Sequence, residues 1–445
     1  MTLSMACSFA AYEFFRTAST TLFTETFPQR RPLALATAAV SPFSIVLLGL
    51  YSKALDRSPR HALRMTLLAA MATSGIVLLA SSVSSTTVVL PVVTMLTFLF
   101  QNSYLNLLCS QQWSFVNSVM DDDTTDDDSA STRTPPAVIL GRIAGTSCAV
   151  STLAAAAVPW LVRRGGGVQS LWVGAMVLHT LAWLLGEGWA YRIAIAHGWD
   201  PQPNTATQKE GRSWKDALSL FRRVPILPIL AVETMAFSAL STVVNVRTMS
   251  AVADAIPDAV QRSALWGNFY AWTNGAAAIV QFGIVPLFLS RNMQLAWRWV
   301  AVVPLCAVVA ECWQHFTSIA ATTIPTYYYL AAALWATKVM DYSVRSVAGN
   351  MVYQPLDFES RFFGKGAFVA GIGWPSVSLS HLTVRATEII SVLGSRLGRS
   401  GSSLLLLLAP GSTVGVLTAA VWAWSTQALA KATGDKSNDA TKKVK

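Results

Sequence analysis

Residues 197–223 read HGWDPQPNTATQKEGRSWKDALSLFRR. This is the longest polar stretch in the chain. It holds two prolines, Pro201 and Pro203, and five cations, Lys209, Arg212, Lys215, Arg222 and Arg223. On both sides of it, apolar runs recur at the length of about 20 residues that a helix needs to cross a hydrocarbon core of roughly 30 Å. Six runs precede it, starting near Leu3, Leu33, Leu63, Val88, Ala137 and Ser170. Six follow, starting near Val224, Ala264, Leu295, Ile319, Gly366 and Ser403. The runs are too long for barrel strands and lack their alternation of polar and apolar residues. The pattern predicts an all-α, polytopic membrane protein with about 12 transmembrane helices. It divides into a six-helix bundle over 1–196, a linker over 197–223, a second six-helix bundle over 224–428 and a Lys-rich tail over 429–445.

Composition agrees with that division. Of 445 residues, 53% are hydrophobic and 13% charged, and the mean hydropathy is +0.45. Soluble domains carry about twice that charge, so a soluble enzyme and a disordered chain are both excluded. Sixteen Trp and nineteen Phe suit a surface that meets lipid and its interfaces. A net charge of +10 raises nucleic acid as a partner, but no basic surface interleaved with stacking aromatics supports it. The cations instead set topology. Loops on the side of the N-terminus carry 19 Lys and Arg, among them Lys53, Arg57, Arg60 and Arg64, while the opposite loops carry 7, including Arg163 and Arg164. Both termini are therefore expected in the cytoplasm. No basic region precedes the first apolar run, so no cleaved signal peptide is expected. Nothing selects among plastid envelope, endoplasmic reticulum and plasma membrane.

An even split around a long polar linker is the layout of a two-repeat transporter of the major facilitator type. Charges inside its spanning helices are costly and mark function by default. The first helix has Glu13 and Arg16 three residues apart, close enough to pair. The seventh has Glu233, Asn245 and Arg247, and the tenth has Lys338, Asp341 and Arg345 along one face. Concentrated on helices one, seven and ten, they point to a water-filled central cavity. Glu13, Asp341 and Glu233 are expected to balance charge there. Arg142 reads as an interfacial cap of the fifth helix, and Glu311 as a shielded acid.

Other chemistries lack their residues. There is no phosphate-binding GxxxxGK[ST], no HExxH and no GxSxG, and no cofactor is implied. The five histidines are scattered, the five cysteines form no CxxC, and no metal site is expected. Six Asp within Asp121–Asp128 lack the alternating ligands and central Gly of a calcium loop and read as a solvated insertion. The terminal Lys442–Lys445 reads as a solvated basic tail, although its lysines sit where a retrieval signal would place them.

One segment resembles a known family. Met351–Val369, MVYQPLDFESRFFGKGAFV, is similar to the loop before helix eleven in the ATP/ADP translocase-type nucleotide transporters of plastids and intracellular bacteria. The matching positions are Met351, Tyr353, Pro355, Leu356, Asp357, Glu359, Arg361, Gly364 and Lys365, with Tyr342 and Ser343 upstream. Gly394–Ser400, GSRLGRS, resembles a following stretch, with about twenty extra residues between. Tyr12 and Arg16, Phe115–Asn117 and Val243–Val246 match more weakly, and Ser52–His61 resembles the basic turn after helix two of major facilitator proteins. The resemblance implies twelve helices and exchange of nucleotides. It departs at charged positions of the family, where this chain has Ser19, Ser118 and Asn245, and Ser346, Gly349 and Asn350 after helix ten; Lys365 is retained. Asn245 and Ser118 do not titrate, so an exchanger is expected rather than a proton symporter built on those positions.

The resulting expectation is a secondary carrier of an anionic solute working by alternating access, a monomer in the bilayer, with nucleotide exchange as the first reading. Lys365, Arg16, Arg247, Asn245, Lys338 and Arg345 are the expected substrate contacts. Two alternatives stay open: a facilitator of another organic anion or metabolite, and a non-transporting membrane scaffold.

Overall fold

Runs of this length and polarity satisfy their backbone donors and acceptors internally as helices, the condition for crossing hydrocarbon. The computed structural model follows that rule. It describes residues 1–27, 30–83, 89–122, 136–197, 223–289, 293–317, 326–353, 416 and 418–432. The first half contains α1 (Thr2–Thr26), α2 (Arg30–Arg57), α3 (Pro59–Val83), α4 (Val89–Asp122) and α5 (Pro136–Arg164). Helix α6 starts at Gln169, widens into a π-helical turn over Leu184–Ala190 and ends at Ala196. The second half contains α7 (Ile226–Ala255) and α8, which runs from Ala259 through a π-helical turn, Val280–Ile284, to Leu289. Then come α9 (Met293–Thr317) and α10, from Thr326 through a third π-helical turn, Asp341–Arg345, to Tyr353. Residues 418–432 are helical. Eleven of the twelve expected runs thus carry helix; the run near Gly366 lies outside the described residues. So do Lys365, most of the linker and of the Asp-rich insertion, and the Lys-rich end.

Among the described residues, α2 to α7 are long and apolar enough to cross a membrane. Their outward faces carry Leu79, Leu153, Trp160, Val177 and Trp189, which suits a lipid boundary. This is an integral, multi-pass membrane protein. Helix α1 differs because it is central. It packs on α4, α5, α6 and α8, and buries Glu13 and Arg16 together with a run of small and hydroxyl residues. Those hydroxyls do not waste hydrogen bonds in an apolar setting: Ser8 and Thr24 bond back to carbonyls one turn earlier, and Ser4 reaches the Ala182 carbonyl on α6 at 2.7 Å.

Two close approaches fix the geometry of the bundle. The α5–α6 turn needs positive φ at Gly166 (95°) and Gly167 (82°), a region that side chains with a Cβ avoid. There the Gly167 N–H donates to the Val162 carbonyl and ends α5. Between the halves, α5 and α8 make the most extensive packing among the described residues. At Gly267 an added Cβ would stand 2.8 Å from the Val158 Cβ and 3.0 Å from the Ala155 carbonyl oxygen. Small residues let helix backbones meet this way in a membrane. Contacts of α1 with α8, and of α2 with α7, complete the seam.

Candidate functional site

A cavity of about 470 Å³ lies between the halves. Helices α1, α2, α4 and α5 form one wall, and α7, α8, α9 and α10 the other. The lining runs from Asn245 and Lys338 at mid-helix to Met5, Trp297 and Asn350, near the helix ends on the side of the N-terminus. It includes five of the expected residues: Glu233, Asn245, Lys338, Asp341 and Arg345.

Their pairing is uneven. Arg345 donates from Nε to Glu233 Oε1 at 2.7 Å and from one terminal nitrogen to Oε2 at 3.1 Å. Its other terminal nitrogen donates to Asp341 Oδ1 at 2.8 Å, and its guanidinium lies 4.1 Å from the Phe237 ring centre. Glu233 also accepts from Trp422 Nε1 at 2.7 Å and from Thr234 Oγ1 at 3.2 Å. Glu233 is thus held by four donors and is 1% exposed at its side chain. Asp341 accepts a single one of these bonds. Lys338 makes no ion pair or hydrogen bond with any described residue; its Nζ stands 5.8 Å from the Tyr342 ring centre. Of the three charges of α10, Asp341 and Arg345 are the two joined by a hydrogen bond among the described residues. The π-helical turn begins at Asp341, and the acid pairs with Arg345.

Arg16 and Glu13 lie apart from the lining. They form a close ion pair, and both are almost fully buried. Glu13 Oε1 accepts from Asn274 Nδ2 at 2.9 Å, and Arg16 donates to the Tyr342 hydroxyl at 3.0 Å. The guanidinium lies 3.1 Å from the centre of the Tyr270 ring and 5.0 Å from that of Tyr12. Asn274, Tyr270 and Tyr342 belong to the second half, so the first-half pair is clasped by the other bundle. Farther from the N-terminal side, Thr21 and Ser263 join the halves again at 2.7 Å. Of the remaining expected contacts, Arg247 is half-buried on α7 and is not among the lining residues, and Lys365 lies outside the described residues. Among the described residues no cluster of three His, Cys, Asp or Glu side chains could hold a metal ion.

No family model and no curated protein sequence matches this chain. Solved structures do match in shape. The human organic anion transporter MFSD10 (TETRAN) superposes with a TM-score of 0.62 at 10% identity, covering 96% of each chain. FucP, a major facilitator transporter in its outward conformation, gives 0.56 at 11% identity over 96% of this chain and 97% of its own. A bacterial homologue of the iron transporter ferroportin, outward-facing, gives 0.55 at 13% over 95% and 98%. The chain has the major facilitator fold. These likenesses span nearly the full length of both chains. They do not single out a nucleotide carrier.

Sequence reading alone missed Asn274, Tyr270, Gln281 and Trp422. Asn274 and Gln281 had a signal: two amides seven residues apart in an apolar helix, each needing a partner. Gln281 donates to the Tyr342 backbone carbonyl, inside the π-helical turn of α10. Trp422 had none, because an indole in a spanning helix is ordinary until its N–H is found on Glu233.

Proposed function

We propose that the protein is a secondary transporter that carries a small organic anion of low charge by alternating access. In this reading the halves 1–196 and 224–428 rock about the cavity, with both termini in the cytoplasm. The observation that carries it is Lys338, a cation on the cavity wall that no carboxylate of the described residues meets in an ion pair or hydrogen bond, although Asp341 stands one turn away on the same helix. A cation in such a place is costly unless water or a ligand solvates it. An entering carboxylate or sulfonate supplies that partner. Arg345 is a poorer docking point, because two acids already occupy its donors.

Nucleotide exchange is the second reading, supported by the resemblance around Met351–Val369 and by Lys365. A triphosphate brings three to four negative charges and demands several uncommitted cations. The described wall offers Lys338 and Arg345 against Glu233 and Asp341, which favours the smaller charge. Proteoliposomes holding the full chain test both readings with labelled benzoate, benzenesulfonate, succinate, AMP and ATP. Uptake of a monoanion, lost in Lys338→Gln, is expected. Saturable uptake confined to nucleotides would replace the first reading with the second, and no uptake of any probe would favour a scaffold.

A further inference from the structure

The four charged side chains on the described cavity wall cancel. Lys338 and Arg345 face Glu233 and Asp341, and the Arg16–Glu13 pair beside the cavity is neutral as well. A monoanion that docks on Lys338, as proposed above, leaves the site one negative charge in excess. Inside a membrane that excess is expensive, and a bound proton removes it. From this balance and from the uneven hydrogen bonding of the two acids, we infer that Asp341 takes up one proton with each anion, so that transport is electroneutral proton–anion symport.

Two acids could accept that proton, and the geometry separates them. The Glu233 carboxylate receives four hydrogen bonds, two from Arg345 and one each from Trp422 and Thr234. These donors occupy both of its oxygens, and an added hydrogen would displace one of them. Asp341 receives a single bond, on Oδ1. Its Oδ2 makes none among the described residues, and its side chain keeps 18% of its surface open on the cavity wall. A proton from water can therefore bond to Oδ2 while Oδ1 goes on accepting from Arg345. The other titratable or charged groups around it are Lys338, Tyr342 and Arg345 on its own helix, Glu233 on α7, Tyr12 and the Arg16–Glu13 pair on α1, Tyr270 on α8, and the thiols of Cys109 and Cys148 on α4 and α5. Helices α8 and α9 bring Gln281 and Trp297 to the wall, neither of which titrates. The step balances. One O–H bond forms on Asp341 as one anion arrives, and the proton returns to water when the anion leaves.

The inference rests on the anion reading, and the test keeps the two apart. Purified full-length protein is titrated by calorimetry with methane-, benzene- and naphthalenesulfonate, which stay monoanionic and cannot ferry protons themselves. Titrations at neutral pH in two buffers of different ionisation heat count the protons taken up per anion. About one proton is expected for the wild type and none for Asp341→Asn, with Asp341→Glu restoring uptake. Wild-type affinity should weaken as pH rises, by up to roughly tenfold per unit for one linked proton, and the Asn variant should be flat. Binding abolished by Lys338→Gln but accompanied by no proton in the wild type would overturn symport and leave the anion site standing. Uptake that persists in Asp341→Asn would overturn the assignment to Asp341. Should that variant fail to fold, the wild-type proton count and the Asp341→Glu protein still decide. If none of the sulfonates binds, the anion reading falls and this inference falls with it.

Discussion

Lys338 and Arg16 are both cations on helices of the bundle, yet their surroundings differ. Lys338 lies on the cavity wall with no carboxylate of the described residues bonded to it, so in the proposed reading its loss acts on solute binding. A charged hydrogen bond is worth about 1.5–3 kcal/mol, and about 1.4 kcal/mol changes affinity tenfold. Lys338→Gln should therefore weaken apparent affinity by roughly ten- to a hundredfold while expression and thermal stability hold, as an uptake assay paired with a melting curve will show. Arg16 is locked to Glu13 and covered by tyrosines. Arg16→Gln leaves an acid buried without its partner, a change that costs about 3–5 kcal/mol, and should lower stability before it touches affinity. Removing both charges, Glu13→Gln with Arg16→Gln, should recover most of that loss. If Arg16→Gln melts like the wild type and transports more weakly, Arg16 is a solute contact instead. The Glu13–Arg16 pair was legible in the sequence because three residues of helix place the two side chains together. The split between a locked and an available cation was not, because Tyr270, Tyr342 and Asn274 come from the other half of the chain.

Helices repeat the lesson on a larger scale. Each of the three π-helical turns among the described residues carries a polar residue that reaches beyond its own helix or braces a charged one: Glu187 in α6, Gln281 in α8, and Asp341 and Arg345 in α10. Such turns recur at functional sites because an extra residue re-aims the side chains that follow. A plain 3.6-residue period, read along Lys338–Arg345, puts the three charges on one face but does not tell that Asp341 bonds to Arg345. In α6 the turn delivers Glu187 to Arg60, within the basic turn legible at Ser52–His61, and to Arg64 just after it, and Trp183 donates to it at 2.5 Å. Helix contacts offer a separate test at Gly267. Ala155 contributes a backbone oxygen there, which a flexible side chain could evade and a backbone cannot. Gly267→Val should overpack the α5–α8 seam and cost about 1–3 kcal/mol, seen as a lower melting temperature of the purified protein. Gly283, where an added Cβ meets nothing, should accept Ala without that loss.

For the whole molecule, the sequence revealed the twelve runs, the linker and the basic asymmetry, because each is a property of composition along the chain. It could not reveal which side the cavity faces, since that depends on contacts between halves. The seam is pinned by Thr21 on α1 and Ser263 on α8, both near the helix ends opposite the N-terminus. The cavity lining extends the other way, toward Met5 and Asn350. A transporter that rocks must break the Thr21–Ser263 contact to open that opposite side. Cysteines at both positions, in a background with Cys7, Cys109, Cys148, Cys306 and Cys312 replaced, should form a disulfide under mild oxidation, because the two oxygens they replace sit 2.7 Å apart. Crosslinking should stop uptake, and reduction should restore it. A third cysteine at Asn106, exposed on the cavity wall, should keep reacting with a charged thiol reagent added on the side of the termini. In the reduced protein it should become partly shielded as the other state is visited. Uptake that continues at full rate through the crosslink would mean that the halves do not separate along α1 and α8, and the rocking reading would have to yield to motion about another seam.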